Sequence, residues 1–280
     1  MLVKVYGRNV DLPELAGLPL PEGADGAVAL RVQLGIRDGE PYPHDTGMRL
    51  WMEGDLLTVD VPEDYGSLAT EHLVLDHAVP IGLAQLGDTI IHGAGFERNG
   101  VGAVLVGPSG HGKSVTSQYL AANGWRLLSD DAVRIELGEE RVVMWPSYHG
   151  VRLFDDALDV LGQRETAGAL VAEYGTKRRL TGDADFSIEP AELRVVFALG
   201  GTSPTVECSP VGSARLLSLL AESAFNVTTT PDRASHRLQA VLPFAERLPG
   251  YELRFDRRPE ALAPLADTIA SSIAGHLDVA

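Results

Sequence analysis

Apolar residues alternate at Val28, Leu30, Val32 and Leu34, the period of two expected of a strand with one buried face. A second strand-like stretch covers residues 49–61 and is interrupted at Gly54-Asp55. Over residues 68–86 the spacing becomes helical, with Leu73, Leu75, Val79, Leu83 and Leu86 on the apolar stripe and Pro80 expected to kink or break it. Gly87-Asp88 closes that stretch. We place a boundary there, between a small N-terminal α+β region, 1–87, that is a candidate for recognising substrate, and a larger unit, 88–280. The chain shows no internal repeat, low-complexity tract or long linker.

The pattern after the boundary is denser. Residues 89–92 read as a strand, Asn99-Gly100 as a tight turn, and 101–106 as a buried strand. A glycine-rich loop follows directly. Residues 114–122 behind it have helical composition and stop at Asn123-Gly124. Residues 125–128 form a third strand, ending at Ser129-Asp130-Asp131; 132–136 and 141–145 read as a hairpin turning at Gly138-Glu139. Another buried strand is expected at 193–199 and a closing amphipathic helix at 259–273.

The loop carries the chemistry. Gly107, Pro108, Ser109, Gly110, His111, Gly112, Lys113 and Ser114 fit the form G-x-x-x-x-G-K-[ST], in which glycines let successive backbone N–H groups turn inward on phosphate oxygens. Lys113 can reach the β- and γ-phosphates of ATP, and the Ser114 hydroxyl can ligate Mg²⁺. The helix that starts there adds its positive end, and Val115 completes the expected nucleotide-binding set. A glycine-rich turn with an exposed lysine would match the same letters, but the strand–loop–helix context favours the phosphate loop. Such a site also needs carboxylates at the end of a neighbouring apolar strand, where Asp130 and Asp131 stand. Successive side chains of an extended segment point opposite ways, so one Asp can face the metal while the other meets the nucleophile.

Composition narrows the partners. Acidic residues outnumber basic ones 39 to 23, a net charge of −16, and no Lys/Arg run exceeds Lys177-Arg178-Arg179. That balance speaks against nucleic acid and against an anionic membrane surface as partners. Only Lys4, Lys113 and Lys177 are lysines, so one of three sits in the loop. Cys208 is the single cysteine, which excludes an intramolecular disulfide and a cysteine-based zinc site. The start lacks the apolar core of a signal peptide and no apolar run approaches bilayer length, so a cytoplasmic location is expected.

The run from 91 to 136, IHGAGFERNGVGAVLVGPSGHGKSVTSQYLAANGWRLLSDDAVRIE, resembles the catalytic core of the HPr kinase/phosphorylase family. It is closer still to the HPr kinase-related serine kinases of bacterial gene clusters for modified peptides such as lasso peptides. The shared features are a His-Gly on the strand before the loop strand, the short loop, the Gly-then-strand spacing, and the Asp-Asp pair before an apolar strand. Pro146 to Leu153, PSYHGVRL, is similar to a P-S-x-x-G-x-R-L stretch of those related kinases. The resemblance implies an α/β fold: a P-loop kinase core with a mixed sheet, because a hairpin feeds the loop strand. It implies ATP and Mg²⁺ as cofactors and a serine-bearing peptide or small protein as substrate, a lasso-peptide or related precursor included. It leaves a homo-oligomer open. It also implies that His92 approaches the γ-phosphate, that Asp130 is the base for the serine hydroxyl, and that Asp131 serves the metal with Ser114. The E-I-R-G-x-G signature of HPr kinase/phosphorylase proper has no counterpart here, which speaks against HPr as substrate and against reverse dephosphorylation.

Other residues read less sharply. His92 is equally a half-buried strand histidine, and His111 holds a variable loop position. Arg152 can clamp phosphate, the reading we prefer, or cap the segment at Asp155-Asp156. Lys177-Arg178-Arg179 reads as a solvated turn more readily than as a lid on phosphate. His72 and His77, five apart on a helix, do not share a face and are not expected to form a metal pair. Two other functions use the same core: a small-molecule kinase, and an ATP-binding regulatory module without transfer. The adjacent acids favour transfer, because a switch needs only one metal carboxylate.

Overall fold

The computed structural model describes residues 1–15, 20–170, 177–180, 186–225 and 233–276. Six short strands come first: β1 (Leu2–Val5), β2 (Arg8–Asp11), β3 (Leu30–Leu34), β4 (Tyr42–Pro43), β5 (Arg49–Glu53) and β6 (Leu56–Asp60). They form one sheet in the order β1-β2-β3-β6-β5-β4. The alternation at 30–34 becomes β3, and the Gly54-Asp55 break becomes the β5–β6 turn, with Gly54 at φ +59. Leu30, Leu50, Leu57 and Val59 pack from this sheet onto Leu73, Val74, Val79 and Leu83 of the helical stretch beside it.

That stretch is continuous but not uniform. α1 (Ser67–Leu73) passes through a π-turn, Val74–Ala78, into α2 (Val79–Gln85). Of the kink or break expected at Pro80, the helix does not break; the irregularity is a π-turn just ahead of the proline. Pro80 sits in the first turn of α2, and because it has no N–H the ladder ahead of it slips to the wider i→i+5 bond from Val79 N–H to Val74 O. The wider turn brings residues five apart onto one face. His72 and His77 accordingly meet edge to face at 5.3 Å, which corrects the expectation that they diverge.

β7 (Thr89–Arg98) and β8 (Val101–Val106) form the expected hairpin and lead through the glycine-rich loop into α3 (Lys113–Ala122). β9 (Arg126–Ser129), β10 (Ala132–Leu137) and β11 (Val142–Trp145) follow, then β12 (Arg152–Phe154), α4 (Asp155–Leu161), β13 (Ala167–Leu170) and β14 (Lys177–Leu180). The last part comprises β15 (Ala191–Leu199), β16 (Glu207–Val211), α5 (Ser213–Ser223), α6 (Arg233–Arg247), β17 (Gly250–Arg254) and α7 (Leu262–Ala274). β12, β14 and β13 make a small three-stranded sheet.

The main sheet has eight strands, in the order β11-β10-β7-β8-β15-β17-β16 with β9 also on β7. It is mixed: β8, β15 and β17 run parallel, whereas β7, β10, β11 and β16 join antiparallel. β11 pairs at its other edge with β15, so five strands close on themselves. Alternation along β8 sends Val104 and Val106 to the face covered by α5 and α6, and Ala103 and Leu105 to the face covered by α3, α4 and α7. Among the described residues no helix is long and apolar enough to cross a membrane.

Candidate active site

The site lies where β8 ends. Beyond Val106, Gly107 (φ +141), Gly110 (φ +77) and Gly112 (φ +93) adopt backbone angles that glycine takes without strain, and Gly112 caps α3. A Cβ at Gly107 would stand 3.0 Å from the Leu199 carbonyl oxygen, so this position also needs the missing side chain. Lys113 is buried, and its Nζ donates to the carbonyls of Gly107 (2.7 Å) and Pro108 (3.2 Å), folding the lysine over the loop. Burial lowers its pKa, with the charges of Asp131 and Asp130 opposing.

The two acids occupy a break in the sheet. β9 and β10 lie end to end along one edge of β7, with Gly95 opposite Ser129 and His92 opposite Ala132. Between them Asp130 and Asp131 leave the ladder. Asp131 sits at φ +67, which Asp tolerates better than most residues, while its carbonyl accepts from Gly93 N–H at 3.1 Å.

The carboxylates have opposite electrostatics. Asp130 is 8% exposed, neither of its oxygens has a hydrogen-bond partner, and the Ser114 hydroxyl interacts with it without reaching hydrogen-bond geometry. Burial, followed by the charge of Asp131, pushes its pKa up to about 7 against the pull of Arg152 and Lys177. Burial acts on Asp131 in the same sense, but Arg152 and then Lys177 overcome it and hold Asp131 ionised far below the usual carboxylate range. Arg152 Nη2 donates to Asp131 Oδ2 at 2.5 Å. Its Nη1 pairs with Asp76 of the π-turn, which also holds the Tyr148 hydroxyl (2.5 Å) and His72 Nδ1 (2.6 Å).

A cavity of about 170 Å³ contains His92, Lys113, Ser114, Asp131, Arg152 and Lys177 in its wall. A larger one, about 590 Å³, adjoins it and is bounded by Pro108, His111, Leu199, Arg215, Glu222 and Glu252; His92 and Ser109 border both. His92 has a lowered pKa, through burial first and the charge of Lys113 second, and so presents a neutral ring between the two.

No family model matches the chain. The HPr kinase/phosphorylase of Caldanaerobacter subterraneus subsp. tengcongensis is 45% identical over 53 residues, which are 19% of this chain and 17% of that protein. The HPr kinase/phosphorylase of Bacillus cytotoxicus is 39% identical over 59 residues, 21% of this chain and 19% of that protein. Over this stretch the chain is similar to HPr kinase/phosphorylase. The match spans less than a fifth of those relatives' length. The solved structure of the Hpr(Ser) kinase/phosphatase from Coxiella burnetii aligns with a TM-score of 0.36 at 11% identity, covering 68% of this chain and 98% of that one.

His92, Lys113, Ser114, Val115, Asp131 and Arg152 all border the small cavity, together with Ser109, Gly110 and Gly112. Gly107, Pro108 and His111 face the larger one, and His111 Nδ1 lies 3.4 Å from the Leu199 carbonyl oxygen. Arg152 does not cap Asp155-Asp156. It is buried behind Asp131, while Asp155 pairs with Arg164 and Arg178. The solvated-turn reading of Lys177-Arg178-Arg179 is also corrected: these residues are β14, paired with β12, with Arg179 buried against Glu71 and Lys177 at the cavity.

Sequence reasoning missed Asp76, Glu71 and Tyr148. The signal was present for Asp76, an acid that stands with His77 between the apolar residues Val74, Leu75, Ala78 and Val79. Its partner lies 76 positions onward, which no local pattern displays.

Proposed function

We propose that this chain is an ATP- and Mg²⁺-dependent kinase that transfers the γ-phosphate to a serine hydroxyl of a peptide or small protein. The observation that carries this reading is the buried, unpartnered carboxylate of Asp130 beside Ser114, at a loop whose lysine is already in place. Beside it, the ionised Asp131 carboxylate and the Ser114 hydroxyl line the same cavity and are oxygen donors for a hard divalent cation. Among the described residues no group of three or more His, Cys, Asp or Glu could hold a metal ion. The site therefore fits a cation that takes most of its ligands from phosphate and water, as Mg²⁺ does. Bound there, Mg²⁺ would neutralise charge on the phosphates.

The chain's own groups divide the remaining work. Lys113 leaves the loop carbonyls for the phosphate oxygens, and Gly107 to Val115 surround the phosphates. His92 hydrogen-bonds at the γ end as a neutral ring. Asp130, its pKa near the working range of a base, accepts the serine proton as the serine Oγ–P bond forms and the bond from phosphorus to the β-phosphate oxygen breaks. Asp131, held ionised, serves the metal with Ser114. The larger cavity, sharing His92, is where the acceptor enters. Residues 88–280 form the kinase unit in this reading, and residues 1–87 recognise substrate.

One observation favours exchanging the two acids: Asp131 lines the cavity while Ser114 interacts with Asp130. Asp130→Asn and Asp131→Asn decide it. Loss of the base lowers turnover by about 10²–10⁴-fold with Mg-ATP binding intact, and loss of the metal ligand raises the Mg²⁺ requirement.

The test of function is incubation with γ-labelled ATP, Mg²⁺ and serine-bearing acceptors, HPr and precursor peptides among them. Label should appear on one serine and disappear in Lys113→Ala. Label on a free metabolite would replace the peptide acceptor. ATP bound but never transferred would replace the kinase with a binding module.

A further inference from the structure

α1 and its π-turn belong to the N-terminal part of the chain, yet they hold the back of the candidate site. Asp76 is 2% exposed and Arg152 is 2% exposed, so their ion pair is fully withdrawn from water. Asp76 is itself gripped by His72 and Tyr148, leaving it little freedom to turn. Arg152 spans from Asp76 on one amino group to Asp131 on the other. One strand over, Glu71 pairs with Arg179 at 3.4 Å, and Arg179 lies two residues from Lys177 on the same face of β14. Arg152 beside Asp131, and Arg179 next to Lys177 on the same face of β14, are thus paired with carboxylates from one short helical stretch.

We propose that Asp76 is a positioning residue for phosphoryl transfer, acting through Arg152 to set how much of the Arg152 charge Asp131 feels. This rests on the kinase reading and on Asp131 as the metal carboxylate. With both carboxylates present, the guanidinium charge is shared. Without the Asp76 charge it falls wholly on Asp131, which then competes less well for a cation. The buried arrangement makes the effect large, since water cannot screen it. Partners one step behind a metal ligand typically alter metal affinity or activity by about 10–100-fold.

The experiment is a double-mutant cycle between Asp76→Asn and Asp131→Asn. Two quantities are read on the full chain: the Mg²⁺ concentration that half-saturates binding of a non-hydrolysable ATP analogue, by calorimetry, and turnover. We expect Asp76→Asn to raise the Mg²⁺ midpoint about 10-fold in the wild-type background and less than about 2-fold in Asp131→Asn. Metal-free nucleotide affinity should stay unchanged, and Asp76→Glu should recover part of the loss. An unchanged midpoint in a folded Asp76→Asn protein overturns the proposal, as does an equal shift in both backgrounds. Should Asp76→Asn not fold, Tyr148→Phe keeps every charge and removes one bond to Asp76; a midpoint shift of about 3-fold that vanishes in Asp131→Asn supports the relay, and no shift overturns it. A wild-type protein that binds no nucleotide defeats the kinase reading instead, and an Asp131→Asn protein with a normal Mg²⁺ requirement defeats the metal assignment.

Discussion

Asp130 shows at the scale of one residue how a site is held against stability. Its pKa is 3.8 in an exposed carboxyl and about 7 here, so the folded chain binds a proton that the unfolded chain has released. The contribution of Asp130 to stability therefore falls as pH rises from about 4 to 7 and levels off above, where the buried carboxylate is charged without a partner. Asp130→Asn removes that charge at constant shape. We expect its melting temperature to exceed that of the wild type by a few degrees at pH 8, the gain shrinking toward pH 5, as thermal unfolding across pH would show. A stabilised yet inactive variant is the signature of a functional acid. Both acids could be read from the sequence as a pair after an apolar strand. Their opposite titration could not, because it depends on Arg152 lying next to Asp131.

Two elements behaved as their local patterns predict, and one did not. The β8–loop–α3 unit is local: turn residues, an apolar strand and a helix start lie within two dozen positions. Gly112→Ala tests it. Nothing stands within 4 Å of the added Cβ, so the cost is backbone strain at φ +93, about 1–2 kcal/mol. We expect a small change in melting temperature but, on the proposed function, a loss of ATP affinity of about 10-fold or more in calorimetry, since the turn that would aim the loop at phosphate is disturbed. The stretch from 67 to 85 behaved differently. Its helical period was legible, and Pro80 was the correct irregularity to notice. Its consequence was a π-turn upstream of it, which rotates His72 and His77 onto one face and places Asp76 in the buried network.

In the whole molecule, polar contacts and close packing at specific residues join the six-stranded and eight-stranded sheets. Arg8 and Arg134 share Asp88, at 2.6 Å and 2.8 Å, and Arg134 Nη1 donates to the Tyr6 carbonyl at 3.4 Å. The Trp145 ring lies over Gly7, where a Cβ would come within 2.2 Å of it, and Gly7 has φ +67. Gly7→Ala should thus cost about 2–4 kcal/mol through overlap and strain together, seen as a lower midpoint in urea. If the N-terminal part supports Arg152 as proposed, the same variant should also raise the Mg²⁺ requirement, although Gly7 touches neither phosphate nor metal.

By itself the sequence determined the features that depend on near neighbours: the strand periods, the turn at Asn99-Gly100, the loop with Lys113 and Ser114, and the acid pair after an apolar strand. Those features are set by backbone sterics and by side-chain direction over a few residues, so a pattern can carry them. Only the tertiary structure decided which acid is buried without a partner and which is paired. It alone showed Lys177 and Arg179 on a strand, and Arg152 reaching from Asp131 to Asp76. Those depend on charges brought within a few ångströms by folding from positions tens of residues apart, where burial removes the water that would otherwise make their spacing unimportant.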